Sequence, residues 1–357
     1  FDIFIEYAKN DAEDIVAVAT IHNRGPEAAE IVVMPTVWFR KIWLTGHEPF
    51  VPKMSKHGDT AIKAFNPKSG NYFFNFCGNP EIKFCDNETN RERLYGIPNE
   101  RKFTKDGIND FIVSGDRSKL NPKNTGTKAA AIFELEIPAG GSKSIKMRMQ
   151  HQIEDKPLKA CHESMDFRKK EADEFYESIQ QRVTDPDLKS IQRQAFAGMM
   201  WSKQFYYYDV NRWLEGDPGR YTPPETRKVG RNHNWRHLQN YDIISMPDKW
   251  EYPWYAAWDL AFHCIPIARI DPEFAKNQLL LLLNEWYMHP NGQIPAYEWN
   301  FSDVNPPVHA WAVQRVYQID KKMNGGVGDR EFLERAMHKL MINFTWWVNR
   351  KDNEGNN

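Results

Sequence analysis

The chain has 357 residues, enough for two or more domains with large buried cores. Lys plus Arg total 47 and Asp plus Glu 48, so the formal net charge is -1, which argues against a dedicated nucleic-acid binder because such proteins present a basic face. No apolar run approaches the roughly 18–20 residues that a membrane helix requires, so neither a nucleic-acid nor a membrane partner is expected.

The first part of the chain, residues 1–155, is predicted to form an antiparallel β-sandwich domain, because period-two apolar patterns alternate with turn residues. The last two strand patterns flank a Pro-Ala-Gly-Gly turn at 138–141 and are predicted to form a hairpin. Residues 45–125 are rich in Asn, Lys, Asp and Pro and predict long loops. The strand patterns lie at residues 1–7, 15–21, 29–38, 129–137 and 142–149.

The four cysteines are too few and too scattered for a disulfide framework. Cys77 and Cys85 either pair across a hairpin or remain free thiols in a reducing compartment, and a cytoplasmic location is expected. The chain begins with Phe1 and stops just after an apolar helical pattern at 344–348, so both ends are interpreted as cuts through a longer protein.

The second part of the chain changes to a helical period, with a linker helix at 156–185 and a helical domain at 186–357. About six helices of roughly 15–20 residues are predicted, joined by long loops at 207–252 and 290–305. Helices with long loops at one end are typical of an (α/α)6 toroid, which needs about twelve helices, so the toroid is predicted to be incomplete in this chain. Helix starts are predicted at Asp185-Pro186, at Asp271-Pro272 before a helix from 274 to 289, at Pro306-Pro307 and at Asp329.

One carboxylate, Asp259, lies in an aromatic stretch that otherwise has the pattern of an apolar helix. A helix entered at Pro253 places Trp254 and Trp258 near one face and Asp259 near the next. Rings around a single acid are typical of a sugar pocket, because sugar C–H faces stack on rings while hydroxyls need a few polar partners. The alternative is an amphipathic helix with a capped or salt-bridged Asp.

Three further clusters mix rings with polar groups, and in each a sugar contact competes with an ordinary structural role. Asp209 and Trp213 lie at a predicted helix end, where they either bind sugar or cap the helix. Tyr297 and Glu298 lie in a loop, with Glu298 favoured as a substrate contact or orienting residue over a catalytic base. At the start of the next helix, Trp311 is a candidate sugar platform, and His309 either bonds a sugar hydroxyl or is a satisfied core histidine.

Metal and nucleotide sites are not indicated. His233 and His237 have the spacing of metal ligands on a helix, but no acid or cysteine accompanies them, and a solvated loop is the preferred interpretation. No glycine-rich nucleotide motif and no Gly-x-Ser-x-Gly is present. We expect no metal and no other cofactor.

Residues 204–216, 246–264, 291–299 and 305–311 together resemble inverting glycoside hydrolases with an (α/α)6 barrel. Within them, the sequence is similar to the glycoside hydrolase family 63 group, which includes mannosyl-oligosaccharide glucosidases and mannosylglycerate and glucosylglycerate hydrolases. The resemblance implies that Asp259 is the general acid and that Trp254 is a pocket ring. It also implies a general base, a Glu C-terminal to residue 357.

The sequence therefore predicts an inverting α-glycoside hydrolase of glucosidase or mannosidase type, acting on an oligosaccharide or small glycoside. Trp254, Trp258, Tyr297 and Trp311 are expected to shape the sugar subsite. Two alternatives stay open: a phosphate-dependent disaccharide phosphorylase, and a non-catalytic carbohydrate-binding or scaffold protein.

Overall fold

A computed structural model describes residues 1–41, 43, 50–159, 161–217, 222–297, 304–352 and 354–355. The chain divides into two compact units, Phe1–Glu174 and Phe175–Asn357. The first is built mainly of antiparallel strands and the second mainly of helices, so the predicted β plus α class is confirmed. The predicted domain limits at residues 155 and 185 stay predictions.

The strands of the first unit form two antiparallel sheets. The first sheet has the order β1-β2-β11-β7-β6-β5-β9, and in the second β10 pairs with β3, β4 and β8. The strands are β1 Asp2–Asp11, β2 Asp14–His22, β3 Ala29–Val33, β4 Thr36–Trp38, β5 Lys53–His57, β6 Ala61–Asn66, β7 Gly70–Phe76, β8 Glu81–Cys85, β9 Thr125–Gly126, β10 Lys128–Ile137 and β11 Ser142–Gln150. Three helices also begin in this unit, α1 Arg91–Tyr95, α2 Gly107–Ser114 and α3 Cys161–Ile179.

Three expectations for this unit were wrong. Residues 50–124 hold strands β5–β8 and helices α1 and α2 instead of long loops, because lysines and asparagines within these strands mask the period of two. The predicted hairpin does not form either, since β10 and β11 belong to different sheets and the turn at 138–141 carries the chain between them. Segment 29–38, predicted as one strand, forms the two strands β3 and β4 with Pro35 between them. Proline has no N–H to donate to a neighbouring strand, and the Pro35 carbonyl accepts a hydrogen bond from the Ala131 N–H at 3.0 Å.

Apolar clusters are shared by the two sheets. Ile62 of the first sheet packs in one cluster with Phe84 of the second, and Ile21 and Ile145 pack in another with Ile137. Such shared burial is what a face-to-face packing requires, and the β-sandwich itself stays a prediction.

All four cysteines lie in the described part of the chain, and all are free thiols. The Cys77–Cys85 disulfide is therefore absent. Cys85 is fully buried, and burial raises the pKa of its thiol to about 12, so it is an unreactive core residue.

The helices of the second unit begin largely where the sequence places them. The side chains of Asp185, Asp271 and Asp329 each accept a hydrogen bond from a backbone N–H of the first helical turn. Capping was predicted for Asp185 and Asp271, whereas Asp329 was predicted only as the start of a helix. The elements after α3 are α4 Pro186–Trp201, β12 Lys203–Asp209, α5 Val210–Glu215, a 3-10 turn Glu225–Val229, β13 Gln239–Ser245, α6 Ala257–Ile267, α7 Pro272–Leu281, α8 Val308–Met323, α9 Arg330–Trp346 and a π turn Trp347–Lys351.

Two details differ from prediction. The segment predicted as a helix end is strand β12, which pairs with β13 inside a region expected to be loop, because four consecutive aromatic residues (205–208) mask the period of two. Helix α7 ends at Leu281, not at residue 289, and the chain continues in tight turns.

The core of the second unit is centred on α6. Leu260 and Cys264 of α6 are fully buried and share one cluster with Leu279 of α7 and Val316 of α8. The buried face of α6 thereby packs against α7 and α8, while Trp258 and Phe262 of the same helix are exposed; an incomplete (α/α)6 toroid stays a prediction. Across the described residues, we find no helix that combines the length and apolar character needed to cross a bilayer.

Candidate active site

Helix α6 begins four residues later than predicted. Its N-cap is Ala256 and its first residue Ala257, so Pro253 lies outside the helix. The reason is a strand-like pairing: Ala256 forms an antiparallel bridge with Tyr297, and the Ala257 N–H donates to the Ala296 carbonyl at 2.9 Å. Asp259 is consequently the third helical residue, a position where the positive helix N-terminus favours an acidic side chain.

The same pairing brings the loop after α7 to the start of α6. Tyr297 is therefore a neighbour of the turn that carries Asp259, and its role in a sugar subsite stays a prediction. Glu298, the predicted orienting residue of this loop, lies outside the described residues. Trp254 is half-buried just before α6, with its ring centroid 5.5 Å from that of Tyr252.

An open row of rings lies beside Asp259. Trp258 is 41% exposed, and its ring centroid is 6.1 Å from that of Phe262, one helical turn later. The Phe262 ring is in turn 5.6 Å from the ring of Trp311 on α8. We call Trp258, Phe262 and Trp311 the α6 aromatic face. From the sequence, Phe262 was expected on the same helix face as Asp259 but not as a residue of the sugar subsite, although its spacing of four residues from Trp258 on a helix is the signal that identifies it.

Asp259 is half-buried, and within the described part of the chain its carboxyl makes no hydrogen bond or ion pair. His263 follows it by one turn, and its Nδ1 lies 3.0 Å from the Ser245 Oγ of β13. Burial lowers the pKa of His263, and the nearby charge of Asp259 opposes that shift. The sequence analysis also missed His263. A carboxyl that has no hydrogen-bond or ion-pair partner among the described residues, one turn from an imidazole whose pKa is lowered, is available to a ligand.

His309 occupies a different position from the open face. It is 6% exposed, and its Nε2–H donates to the Leu279 carbonyl at 2.9 Å, one of the unpaired carbonyls at the end of α7. Burial lowers the pKa of His309 to about 4, so the ring is neutral at pH 7. Nδ1 has no partner among the described residues, so any sugar contact by His309, which stays a prediction, would use this atom. With Trp258 and Trp346 it lines a cavity of only 30 Å³, room for about two water molecules.

Asp209 and Trp213 line a separate cavity of 250 Å³, and the lining described for it includes no residue of α6. Asp209 caps α5, because its carboxylate accepts a hydrogen bond from the Arg212 N–H at 3.1 Å. One of its acceptor oxygens therefore already has a structural role. The guanidinium carbon of Arg227 lies 4.0 Å from the centroid of a Trp213 ring. The structure therefore does not bring these two predicted sugar contacts into one cavity with Asp259.

A metal centre is not indicated by the geometry. His233 lies in a turn, with Nδ1 2.6 Å from the Gly230 carbonyl oxygen, so the helical spacing to His237 that zinc would need is absent. In the ranges that the structure describes, no three His, Cys, Asp or Glu side chains lie close enough together to bind a metal ion.

Comparisons with known proteins give one family match and one curated relative. Residues 252–356 match the family model described as "Mannosylglycerate hydrolase MGH1-like glycoside hydrolase domain". The whole chain is similar to the Saccharomyces cerevisiae protein called "Uncharacterized protein YMR196W", with 42% identity over 399 aligned positions that cover 100% of this chain and 36% of the relative. The chain thus spans about a third of the length of the curated relative it matches.

Two solved structures also resemble the chain. "Polysaccharide Lyase BACCELL_00875" is 10% identical with a TM-score of 0.26, over 97% of this chain and 56% of that one. "Putative kojibiose phosphorylase from human microbiome" is 8% identical with a TM-score of 0.24, over 96% of this chain and 52% of that one. The family match identifies residues 252–356, which include Asp259 and the α6 aromatic face, as a glycoside hydrolase-like segment.

Proposed function

We propose that this chain carries the acid half of the active site of an α-glycoside hydrolase that inverts the anomeric centre. The observation that supports this most strongly is Asp259, a half-buried carboxyl in the first turn of α6 with no hydrogen-bond or ion-pair partner in the described part of the chain. It lies beside the exposed rings of the α6 aromatic face, inside the glycoside hydrolase-like segment.

In this reaction, protonated Asp259 donates its proton to the glycosidic oxygen while the bond from that oxygen to the anomeric carbon breaks. A second carboxylate removes a proton from water, whose oxygen bonds to the anomeric carbon from the opposite face. Inverting enzymes hold the two carboxyls about 6.5–9.5 Å apart to leave room for that water. We assign the base to a Glu beyond residue 357, which is consistent with a relative about three times as long as this chain.

The sugar subsite is proposed to be formed by rings around Asp259. Trp258, Trp311 and Tyr297 stack on sugar faces, and Trp254 closes the pocket, while Glu298 orients the substrate. His309 through Nδ1, and the separate pair Asp209 and Trp213, are proposed as further contacts to a longer saccharide or a charged aglycone. We propose that the substrate is an α-glucoside or α-mannoside. The proposal also includes an incomplete (α/α)6 toroid at residues 186–357 and a cytoplasmic location.

The test compares full-length wild type with two carboxyl-to-amide variants, Asp259→Asn and Asp187→Asn. Asp187 is a matched control because it is an exposed acid in the first turn of another helix, α4. The substrates are α-glucosides, α-mannosides, glucosylglycerate and mannosylglycerate, with the product anomer followed by NMR. Loss of a general acid should lower turnover by about 10²–10⁴-fold in Asp259→Asn, whereas Asp187→Asn should match wild type.

A glycosyl fluoride sharpens this experiment, because fluoride leaves without protonation. Asp259→Asn should therefore retain far more activity on the α-fluoride of the preferred sugar than on its glycosides. Wild-type turnover of glycosides by Asp259→Asn would refute the assignment. A requirement for inorganic phosphate would instead support a phosphorylase.

A further inference from the structure

A polar cavity of 310 Å³ lies on the sheet unit, among residues that play no part in the proposed active site. One of its lining residues is Gln150, the last residue of β11, which is only 3% exposed. Both amide atoms, Oε1 and Nε2, are buried and have no hydrogen-bond partner in the part of the chain that the structure describes. Buried amides are ordinarily paired, so this one indicates a partner other than the protein.

Several other polar groups of the cavity wall are firmly paired. Arg148 is buried beside Gln150, and its guanidinium donates to Asp14 at 2.7 and 2.8 Å and to Glu154 at 2.9 and 3.0 Å. Asn10 donates to Asp14 at 2.7 Å and accepts from Ser164 at 2.7 Å. This network makes the wall rigid, because bidentate Arg–carboxylate pairs fix both partners. The side-chain amide of Gln150 takes no part in the network.

The chemistry of an unpaired amide restricts the ligand. Nε2 needs an acceptor and Oε1 needs a donor, and hydroxyl groups supply both. A cation would satisfy Oε1 alone, and no group of three ligating side chains for a metal is found among the described residues. An anion would meet Asp11 and Glu13, which also line the cavity, while the charge of Arg148 is already balanced by two carboxylates.

We propose that this cavity is a second, non-catalytic carbohydrate site that binds a neutral sugar. Gln150 donates to one hydroxyl and accepts from another, and Asp11 and Glu13 accept from further hydroxyls at the mouth. His151, exposed at the rim with its ring centroid 5.0 Å from that of Tyr72, supplies a flat surface for the sugar ring. The volume falls at the lower end of the roughly 300–1,000 Å³ range of small-molecule pockets, which suits a monosaccharide or the end of a longer chain.

The experiment follows the side-chain amide resonances of Gln150 in the ¹⁵N-labelled protein during titration with D-glucose, D-mannose and maltose. Gln150→Leu assigns the resonances by their loss. A saturable shift with at least one of these sugars is expected, and it should persist in Asp259→Asn because Asp259 is not among the residues that line this cavity. Binding of the sugar that shifts Gln150 should weaken about tenfold in Gln150→Leu, the loss of two hydrogen bonds, with glycoside turnover unchanged.

A second variant guards against misfolding of the first. His151 is exposed, so His151→Ala should fold normally and should also weaken the binding of that sugar. The proposal is overturned if no sugar produces a saturable shift of the Gln150 amide. It is equally overturned if Gln150→Leu and His151→Ala bind that sugar as wild type does, because the cavity then holds only water.

Discussion

Lys276 of α7 is the most informative position for testing the packing of the helical unit. Its side chain is 5% exposed and lies 2.7 Å from Asp329 and 3.6 Å from Asp320 of α8, with Glu273 also in contact. Burial lowers the pKa of Lys276, but its hydrogen bonds to Asp329 and Glu273 outweigh that effect and raise the pKa above its ordinary value. The ammonium group is thus charged and joins α7, α8 and the cap of α9.

The variant Lys276→Met keeps most of the volume and removes the charge. Glu273 and Asp329 retain contact with water and can be solvated, but the side chain of Asp320 is 2% exposed and cannot. Breaking a buried ion pair from one side costs about 3–5 kcal/mol, because the remaining charge is uncompensated. For a unit of this size, that loss lowers the melting temperature by roughly 10 °C.

Urea unfolding of wild type, Lys276→Met, Asp320→Leu and the double variant measures the coupling free energy between the two side chains. The double variant should recover most of the loss, because it leaves no unpaired buried charge. Lys322→Met, at an exposed lysine of α8, should change the free energy of unfolding by less than about 0.5 kcal/mol. A loss below about 1 kcal/mol in Lys276→Met, or additive effects in the double variant, would refute the reasoning.

Three further outcomes follow from single residues. The pKa of His309 is about 4 in the folded chain against 6.5 unfolded, so its stabilisation is complete above pH 6.5 and is lost as pH falls towards 4. Denaturant titrations should show a loss of about 3 kcal/mol over that interval that is absent in His309→Gln, which keeps a donor for the Leu279 carbonyl; identical pH profiles would contradict this. Gly292→Ala should cost more than about 2 kcal/mol by calorimetry, because Gly292 has φ +96 and an added Cβ would lie 2.4 Å from the Ile342 carbonyl oxygen; a neutral effect would show that this contact relaxes. Asp185→Ala should lower stability by about 1 kcal/mol through loss of the α4 cap, and an unchanged melting temperature would contradict the capping role.

Sequence reasoning succeeded where the governing interaction is local. The caps at Asp185, Asp271 and Asp329 bond to N–H groups two or three residues away, so the short motif contains all the information needed. The start of α8 after Pro306-Pro307 was predicted on the same kind of local evidence.

The errors came from partners that are distant in the chain. Whether residues 142–149 pair with 129–137 or with β2 and β7 depends on competing strands, which the alternation of apolar residues does not reveal. The start of α6 shifted because Ala256 pairs with Tyr297, a contact made by a loop that follows another helix. The same limitation applied to His263, whose partner Ser245 lies on β13, in a region that was expected to be loop.

The strand order of the first unit also determines when its sheets can form during synthesis. Strands β3, β4 and β8 each pair with β10, and β2 is joined to β7 through β11, so both sheets depend on residues 128–150. A chain emerging from the ribosome therefore carries unpaired strand edges until these two late strands appear. This unit should therefore complete its folding only after β11 has been synthesised. It should also fold slowly, because its strand pairs are far apart in sequence. A nascent chain released before residue 150 would expose those edges to aggregation or to a chaperone.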